Sequence, residues 1–166
     1  MKRLVLLAFV AGAVIVVAVA LPLVASARDQ HRFVLTERMQ LTSFDPATGE
    51  GTQAGTFVAA GAINDAGQAT VVFRISPGEG GCGLITGPHT FTGAGGSITV
   101  LTKADICPFP PPNPPRSFAR GTWSIVGATG SYAGLRGHGN IFATADFTNG
   151  QITIARDGEI ERADSD

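Results

Sequence analysis

The chain has 166 residues, with 12 basic and 13 acidic side chains, 22 glycines and two cysteines. Without the basic pair Lys2 and Arg3 its net charge is about −3, and no cluster of Lys and Arg marks a surface for nucleic acid. No segment shows a helical period longer than two turns, so the composition favours an all-β domain rich in turns.

The first 27 residues have the pattern of a secretory signal peptide. A short basic start precedes an apolar run from Leu4 to Val24, and Ala25-Ser26-Ala27 resembles a cleavage site. The alternative is an uncleaved membrane anchor, which would be the chain's contact with a membrane. Either interpretation predicts a secreted or extracytoplasmic protein in which residues 28–166 form a single domain with one core.

Short stretches of alternating polar and apolar residues predict eight strands. Their bounds are 32–42, 55–64, 69–76, 84–92, 97–106, 117–126, 138–147 and 151–161. Hairpin turns are predicted at Asp65-Ala66-Gly67, Ala94-Gly95 and Asn149-Gly150, and Asp157-Gly158 is a position where the last strand could bulge or fold. Eight antiparallel strands can close a small barrel, and an immunoglobulin-like sandwich is the alternative that this spacing permits.

Two ionisable residues share the phase of apolar neighbours along their strands. Glu37 alternates with Leu35 and Met39, so it is predicted to point into the core unless it lies at a barrel mouth or a bulge turns it outward. His89 alternates with residues such as Phe91 and is predicted to point inward as well. Inward ionisable groups often bind or transform ligands, so both are candidate ligand-binding residues, although a buried histidine is also commonly structural.

Cys82 and Cys107 are predicted to form a disulfide. Paired residues of the hairpin that turns at Ala94-Gly95 have numbers that add to 189, and the two cysteine numbers have the same sum. Opposed residues of this kind have Cα atoms about 4.5 Å apart, within disulfide range. The histidines lack the spacing of metal ligands, and no metal or other cofactor is predicted.

Residues 108–116 form a proline-rich segment between the fifth and sixth strands. Proline lacks the amide proton that a central strand needs, so we expect an extended surface loop. The loop could also serve as a docking strip for a partner with an aromatic-lined groove.

The stretch from Gly121 to Gly139 predicts a strand, a glycine-rich turn and the start of another strand. The Tyr132 ring is expected to fold over the core with its hydroxyl towards solvent. A dinucleotide-binding loop is the alternative, but that motif needs a helix directly after the glycines, and Gly137 and Gly139 argue against one.

The same 19 residues resemble the signature of the allene oxide cyclase and dirigent barrel group. In those proteins a hydrophobic strand is followed by G-G-T-G or G-A-T-G, an aromatic residue, A-G and R-G. The resemblance rests on Trp123, Gly127, Gly130, Tyr132, Gly134 and Gly137. It implies an eight-stranded, calycin-like antiparallel barrel, and the plant members imply a homotrimer.

Three functions are therefore open. The barrel could bind a small apolar molecule in its lumen without catalysis. It could be an isomerase or cyclase acting on a lipid-derived substrate, or a dirigent-like guide of phenolic coupling, as the resemblance implies, although none of those families' catalytic residues matches a position in this chain. It could also be an interaction protein of the cell envelope.

Overall fold

The computed structural model describes residues 31–110 and 115–163, and it forms a closed barrel of eight antiparallel strands. Each strand pairs with the next along the chain, and the first strand pairs with the last, from Arg32 opposite Glu159 to Gln40 opposite Gln151. The strands are β1 (Arg32–Asp45), β2 (Glu50–Gly61), β3 (Asp65–Pro77), β4 (Gly83–Gly93), β5 (Gly96–Cys107), β6 (Arg116–Ala128), β7 (Leu135–Asp146) and β8 (Gln151–Arg162). This confirms the predicted barrel and excludes the sandwich.

Most predicted strand bounds lie within a few residues of the observed ones, and β2 differs most. It begins at Glu50 rather than at 55, because the polar, glycine-containing start of this strand resembles a turn in sequence. The predicted turn at Asp65-Ala66-Gly67 is wrong, since β2 ends at Gly61 and Asp65 already begins β3. The turns at Ala94-Gly95 and Asn149-Gly150 are confirmed.

Large side chains fill the barrel at the end where β1 begins and β8 ends, which we name the packed end. They are Phe33, Phe57, Phe91, Ile98, Trp123 and Ile160, each at most 5 % exposed. The Trp123 ring contacts Phe33 edge to face at 5.6 Å between centroids, and its Nε1 donates to the carbonyl oxygens of Asn140 and Asp157. A β-carbon on Gly158 would lie 2.7 Å from the Trp123 ring, and β8 passes through this position without the predicted bulge or fold.

The glycine-rich stretch closes the packed end as a short 3-10 turn at Gly130–Tyr132. Gly130 has a φ of +63°, which favours glycine, and a β-carbon there would lie 2.4 Å from the Gly95 carbonyl oxygen. The Tyr132 ring packs on the core as predicted, but its hydroxyl donates to the Asp65 carboxylate at 2.5 Å rather than to solvent. Burial and this contact raise the pKa of Tyr132 to about 12. Tyr132 thus links the β6–β7 turn to the start of β3.

The opposite end of the barrel, which we name the disulfide end, carries the bond between Cys82 and Cys107. Their Cα atoms are 4.5 Å apart, which confirms the predicted pairing. The proline-rich loop begins beside it, and of this loop residues 111–114 lie outside the described residues, as does the predicted signal peptide. A disulfide is compatible with an oxidising, extracytoplasmic compartment. In the part of the chain that the structure describes, no helix is long and apolar enough to cross a membrane.

Candidate functional site

Glu37 points into the lumen from the middle of β1 and is completely buried. Phe33, Leu35 and Met39 share this inner face, as the alternation in the sequence predicts. The register shift in β1 falls between Leu41 and Ser43, beyond Glu37, so it does not turn the carboxylate outward. The sequence therefore places a charged group inside the barrel.

The structure brings the two candidate residues together. His89 is 4 % exposed on the inner face of β4, and its Nδ1 lies 3.3 Å from Glu37 Oε2. The two residues are 52 positions apart in sequence, and closure of the barrel makes their contact possible.

Arg156 joins this pair, and sequence reasoning missed it. Its side chain is 1 % exposed, and its Nε donates to Glu37 Oε1 at 2.6 Å. Its Nη1 donates to the Thr102 hydroxyl at 3.0 Å, and its guanidinium lies 5.6 Å from the centroid of Phe91. The available signal was its phase, because Arg156 alternates with the buried Ile152 and Ile154 of β8.

The shortest contact of His89 fixes its tautomer. Arg156 Nη2 lies 2.6 Å from His89 Nδ1, and a guanidinium can only donate. Nδ1 is therefore the unprotonated acceptor of a neutral imidazole, and the proton is on Nε2. In this tautomer the 3.3 Å contact between Nδ1 and Glu37 Oε2 is not a hydrogen bond, because neither atom carries a proton. Among the described residues Nε2 has no hydrogen-bond partner, so it is the polar atom that His89 offers to its surroundings.

Electrostatics keep this network close to neutral overall. Burial alone would raise the pKa of Glu37, but the charge of Arg156 and the hydrogen bond that Arg156 donates to the carboxylate lower that pKa. Burial lowers the pKa of His89, and the nearby Arg156 charge acts in the same direction. Burial also lowers the pKa of Arg156, an effect that Glu37 opposes, and arginine remains protonated in proteins. The three groups thus form one ion pair and one neutral imidazole.

A cavity of about 50 Å³ lies between this network and the disulfide end. His89 and Thr102 line it at the network, whereas Glu37 and Arg156 do not line it. Most of its wall is aliphatic or aromatic, including Val71, Phe73, Ile75, Ile106, Ile141 and Ile154. The half-buried Leu41, Ile85 and Phe147 line it near the strand ends. The volume exceeds what one water needs but is well below the several hundred Å³ of a drug-sized pocket.

Two further polar side chains line the cavity. The Ser117 hydroxyl donates to the Pro108 carbonyl oxygen at 2.7 Å and is satisfied. Gln53 is 7 % exposed, and its amide oxygen has no hydrogen-bond partner within the described ranges. Such a group costs free energy unless a ligand or water pairs with it. Within residues 31–110 and 115–163 no three His, Cys, Asp or Glu side chains are placed to hold a metal ion.

The chain was compared with protein families, curated proteins and solved structures. No protein-family model, curated protein or solved structure matches the chain.

The buried network predicts that the barrel loses stability in acid. The lowered pKa of His89 means that below its ordinary value of 6.5 the unfolded chain takes up a proton that the folded barrel does not. The stability that depends on His89 is therefore lost as the pH falls from about 6.5. Glu37 adds a second loss below its ordinary value of 4.5, as the pH approaches its lowered pKa. Each group contributes at most about 1.4 kcal/mol per pH unit.

Urea unfolding between pH 4 and 8 measures this dependence. We expect His89→Gln to flatten the slope between pH 5 and 6.5, with the exposed His138→Gln as the matched control. An unchanged slope in His89→Gln would contradict the lowered pKa, because His89 would then take up protons equally in the folded and the unfolded chain.

Proposed function

We propose that this barrel is an extracytoplasmic container that binds a small, predominantly apolar molecule in the cavity at its disulfide end. The observation that carries the proposal is a mostly apolar cavity lined in part by Gln53, whose buried amide oxygen has no hydrogen-bond partner among the described residues. A concave apolar site with a few convergent polar groups is the usual form of a small-molecule site. The perturbed pKa of His89 at the same cavity adds to this support.

The arrangement of the lumen supports a container rather than a filled scaffold. The packed end holds most of the large aromatic side chains, whereas four alanines lie along the cavity, at Ala104, Ala119, Ala143 and Ala145. Small side chains at inward positions leave space that larger ones would fill. The cavity volume matches a short aliphatic molecule or the end of a longer chain.

Filling the cavity tests the proposal. Ala143 is 8 % exposed on the inner face of β7, and Ala143→Leu should occupy the cavity with three more carbon atoms. Ala155→Leu, at an exposed position on β8, is the matched control. The protein and both variants are purified without detergent from the protein's own host and compared by native mass spectrometry.

We expect a small-molecule adduct on the parent protein and on Ala155→Leu, and a loss of at least tenfold in the adduct on Ala143→Leu, because ligand and leucine compete for one volume. An adduct that persists on Ala143→Leu would place the ligand elsewhere. The absence of an adduct from all three proteins would contradict the proposed function.

A second candidate function is an isomerase or cyclase, and the protonation state of His89 favours it. A neutral imidazole held at Nδ1 by Arg156 can donate from Nε2 to a carbonyl or epoxide oxygen and stabilise the charge that develops there. Glu37 does not line the cavity, so in this scheme it positions Arg156 and His89 and does not contact substrate. The resemblance to allene oxide cyclases and dirigent proteins suggests a lipid-derived or phenolic substrate.

Incubation with a fatty-acid epoxide, followed by chiral analysis of the products, tests this candidate. Ring closure with one enantiomer in excess would support it. A racemic product formed at the rate of the uncatalysed reaction would contradict it for this substrate class.

A further inference from the structure

We infer that the cavity selects an uncharged molecule bearing a hydroxyl group, which bridges Gln53 and His89. This inference rests on the proposed function, since it names the chemistry of the ligand that the cavity would take. It is argued from strand register, from hydrogen-bonding capacity and from charge.

Strand register places Gln53 and His89 on opposite sides of the same residue, Val71. Gln53 of β2 pairs with Val71 of β3, and Val71 pairs with His89 of β4. All three residues point inward and line the cavity. Neighbouring strands are about 4.8 Å apart, so the backbones of Gln53 and His89 are about 10 Å apart, and their inward side chains reach towards the same space.

The two side chains offer complementary hydrogen-bonding groups. The Gln53 amide oxygen is a buried acceptor without a partner among the described residues. His89 Nε2–H is a donor, because Nδ1 accepts from Arg156. A group that satisfies both must donate one hydrogen bond and accept another. A hydroxyl does so with one atom, whereas an ether oxygen can only accept.

Charge excludes ionised ligands from the same place. Glu37 and Arg156 neutralise each other through a 2.6 Å ion pair, so neither is available to an incoming charge. The rest of the cavity wall is apolar, and burying an unpaired carboxylate or ammonium group there would be costly. The site therefore favours an alcohol over an acid or an amine of the same length.

Four probes of similar size test the inference with the full chain. They are 1-butanol, its isomer methyl propyl ether, butanoate and butylammonium, each titrated into the protein at pH 7 and followed by NMR. We expect 1-butanol to bind about tenfold more tightly than methyl propyl ether, because the ether leaves the Gln53 oxygen unpaired. The two ions should bind at least tenfold more weakly than the alcohol.

Replacement of Gln53 tests whether this residue causes the preference for alcohol over ether. Gln53→Met keeps the length of the side chain and removes the acceptor, so the preference for alcohol over ether should fall to about twofold. The exposed Gln68→Met is the matched control and should keep the full preference. Without ligand, Gln53→Met should also raise the Tm by about 3 °C, because it removes an unpaired buried polar atom. A residue that served stability alone would lower the Tm when replaced.

The outcomes separate this inference from the proposed function. If alcohol and ether bind equally well, and Ala143→Leu abolishes the binding of both, the proposed binding function is supported and the preference for a hydroxyl is overturned. Binding of butanoate or butylammonium as tight as that of 1-butanol also overturns it. An unchanged ratio of alcohol to ether affinity in Gln53→Met would also overturn the inference, because Gln53 would then pair with trapped water and not with the ligand. If none of the four probes binds the cavity, both proposals fail for ligands of this size.

Discussion

Replacing Arg156 by methionine is expected to lower the free energy of unfolding by about 3–5 kcal/mol at pH 7. Glu37 is completely buried, and its Oε1 accepts from Arg156 Nε at 2.6 Å. Without the guanidinium, the carboxylate would be an unpaired charge in the core. The variant also loses the contact of the guanidinium with the Phe91 ring and leaves the Thr102 hydroxyl without its donor. A loss of this size is a large part of the 5–15 kcal/mol that stabilises a typical domain.

A double variant separates the missing charge from the missing volume. Glu37→Leu combined with Arg156→Met removes both charges, so it should recover most of the stability that Arg156→Met loses. The exposed Arg74→Met is the matched control, and a change within about 0.5 kcal/mol is expected there. Urea unfolding of the parent and the variants at one pH completes the comparison.

The free energy of unfolding that Arg156→Met loses relative to the parent should also depend on pH. Burial without Arg156 raises the pKa of Glu37, so the carboxyl can become protonated in the folded barrel. The stability lost at pH 7 should therefore shrink as the pH falls towards 4. A deficit below about 1 kcal/mol at pH 7 would mean that Glu37 is hydrated or already protonated, and this would contradict the buried ion pair.

The sequence predicted the half of the network that alternates with obvious core residues. Glu37 follows Phe33 and Leu35 in phase, and His89 precedes Phe91, so their inward direction could be deduced without a structure. Arg156 obeys the same rule after Ile152 and Ile154, so its inward direction could have been deduced from the sequence in the same way. Asp157-Gly158, where the sequence allowed a bulge, instead accommodates the close approach of Gly158 to the Trp123 ring.

The cavity could not be predicted, for two physical reasons. Gln53 fell outside every predicted strand, since the polar start of β2 resembles a turn, and its inward direction was therefore hidden. The space itself results from small side chains meeting across strands that are distant in sequence, such as Ala104 of β5 and Ala143 of β7. Alternation predicts which face a residue occupies, but closure of the barrel decides which residues meet across the lumen.

Replacing both cysteines by alanine should lower the free energy of unfolding by about 3 kcal/mol. The disulfide closes a loop with a sequence separation of 25 residues, and breaking it frees the unfolded chain of β4 and β5. Because the unfolded chain then exposes more surface, the dependence on urea, the m-value, should rise. The parent protein unfolded in a reducing agent should match the double variant, which controls for the change from sulfur to a methyl group.

The disulfide should also protect the disulfide end of the barrel from local opening more than it protects the packed end. Beside it, the Phe109 amide donates to the Gly81 carbonyl oxygen at 2.8 Å, and the Phe109 ring would lie 3.0 Å from a β-carbon on Gly83. Without the disulfide these contacts have no covalent support, so the Phe109 amide should exchange at least tenfold faster with deuterium than in the parent. The Trp123 indole lies at the packed end and should change only by the global loss of stability. If the loss of stability is below 1 kcal/mol and exchange at Phe109 is unchanged, the β4–β5 hairpin is held by its strand pairing alone, and the disulfide has no role in the shape of the cavity.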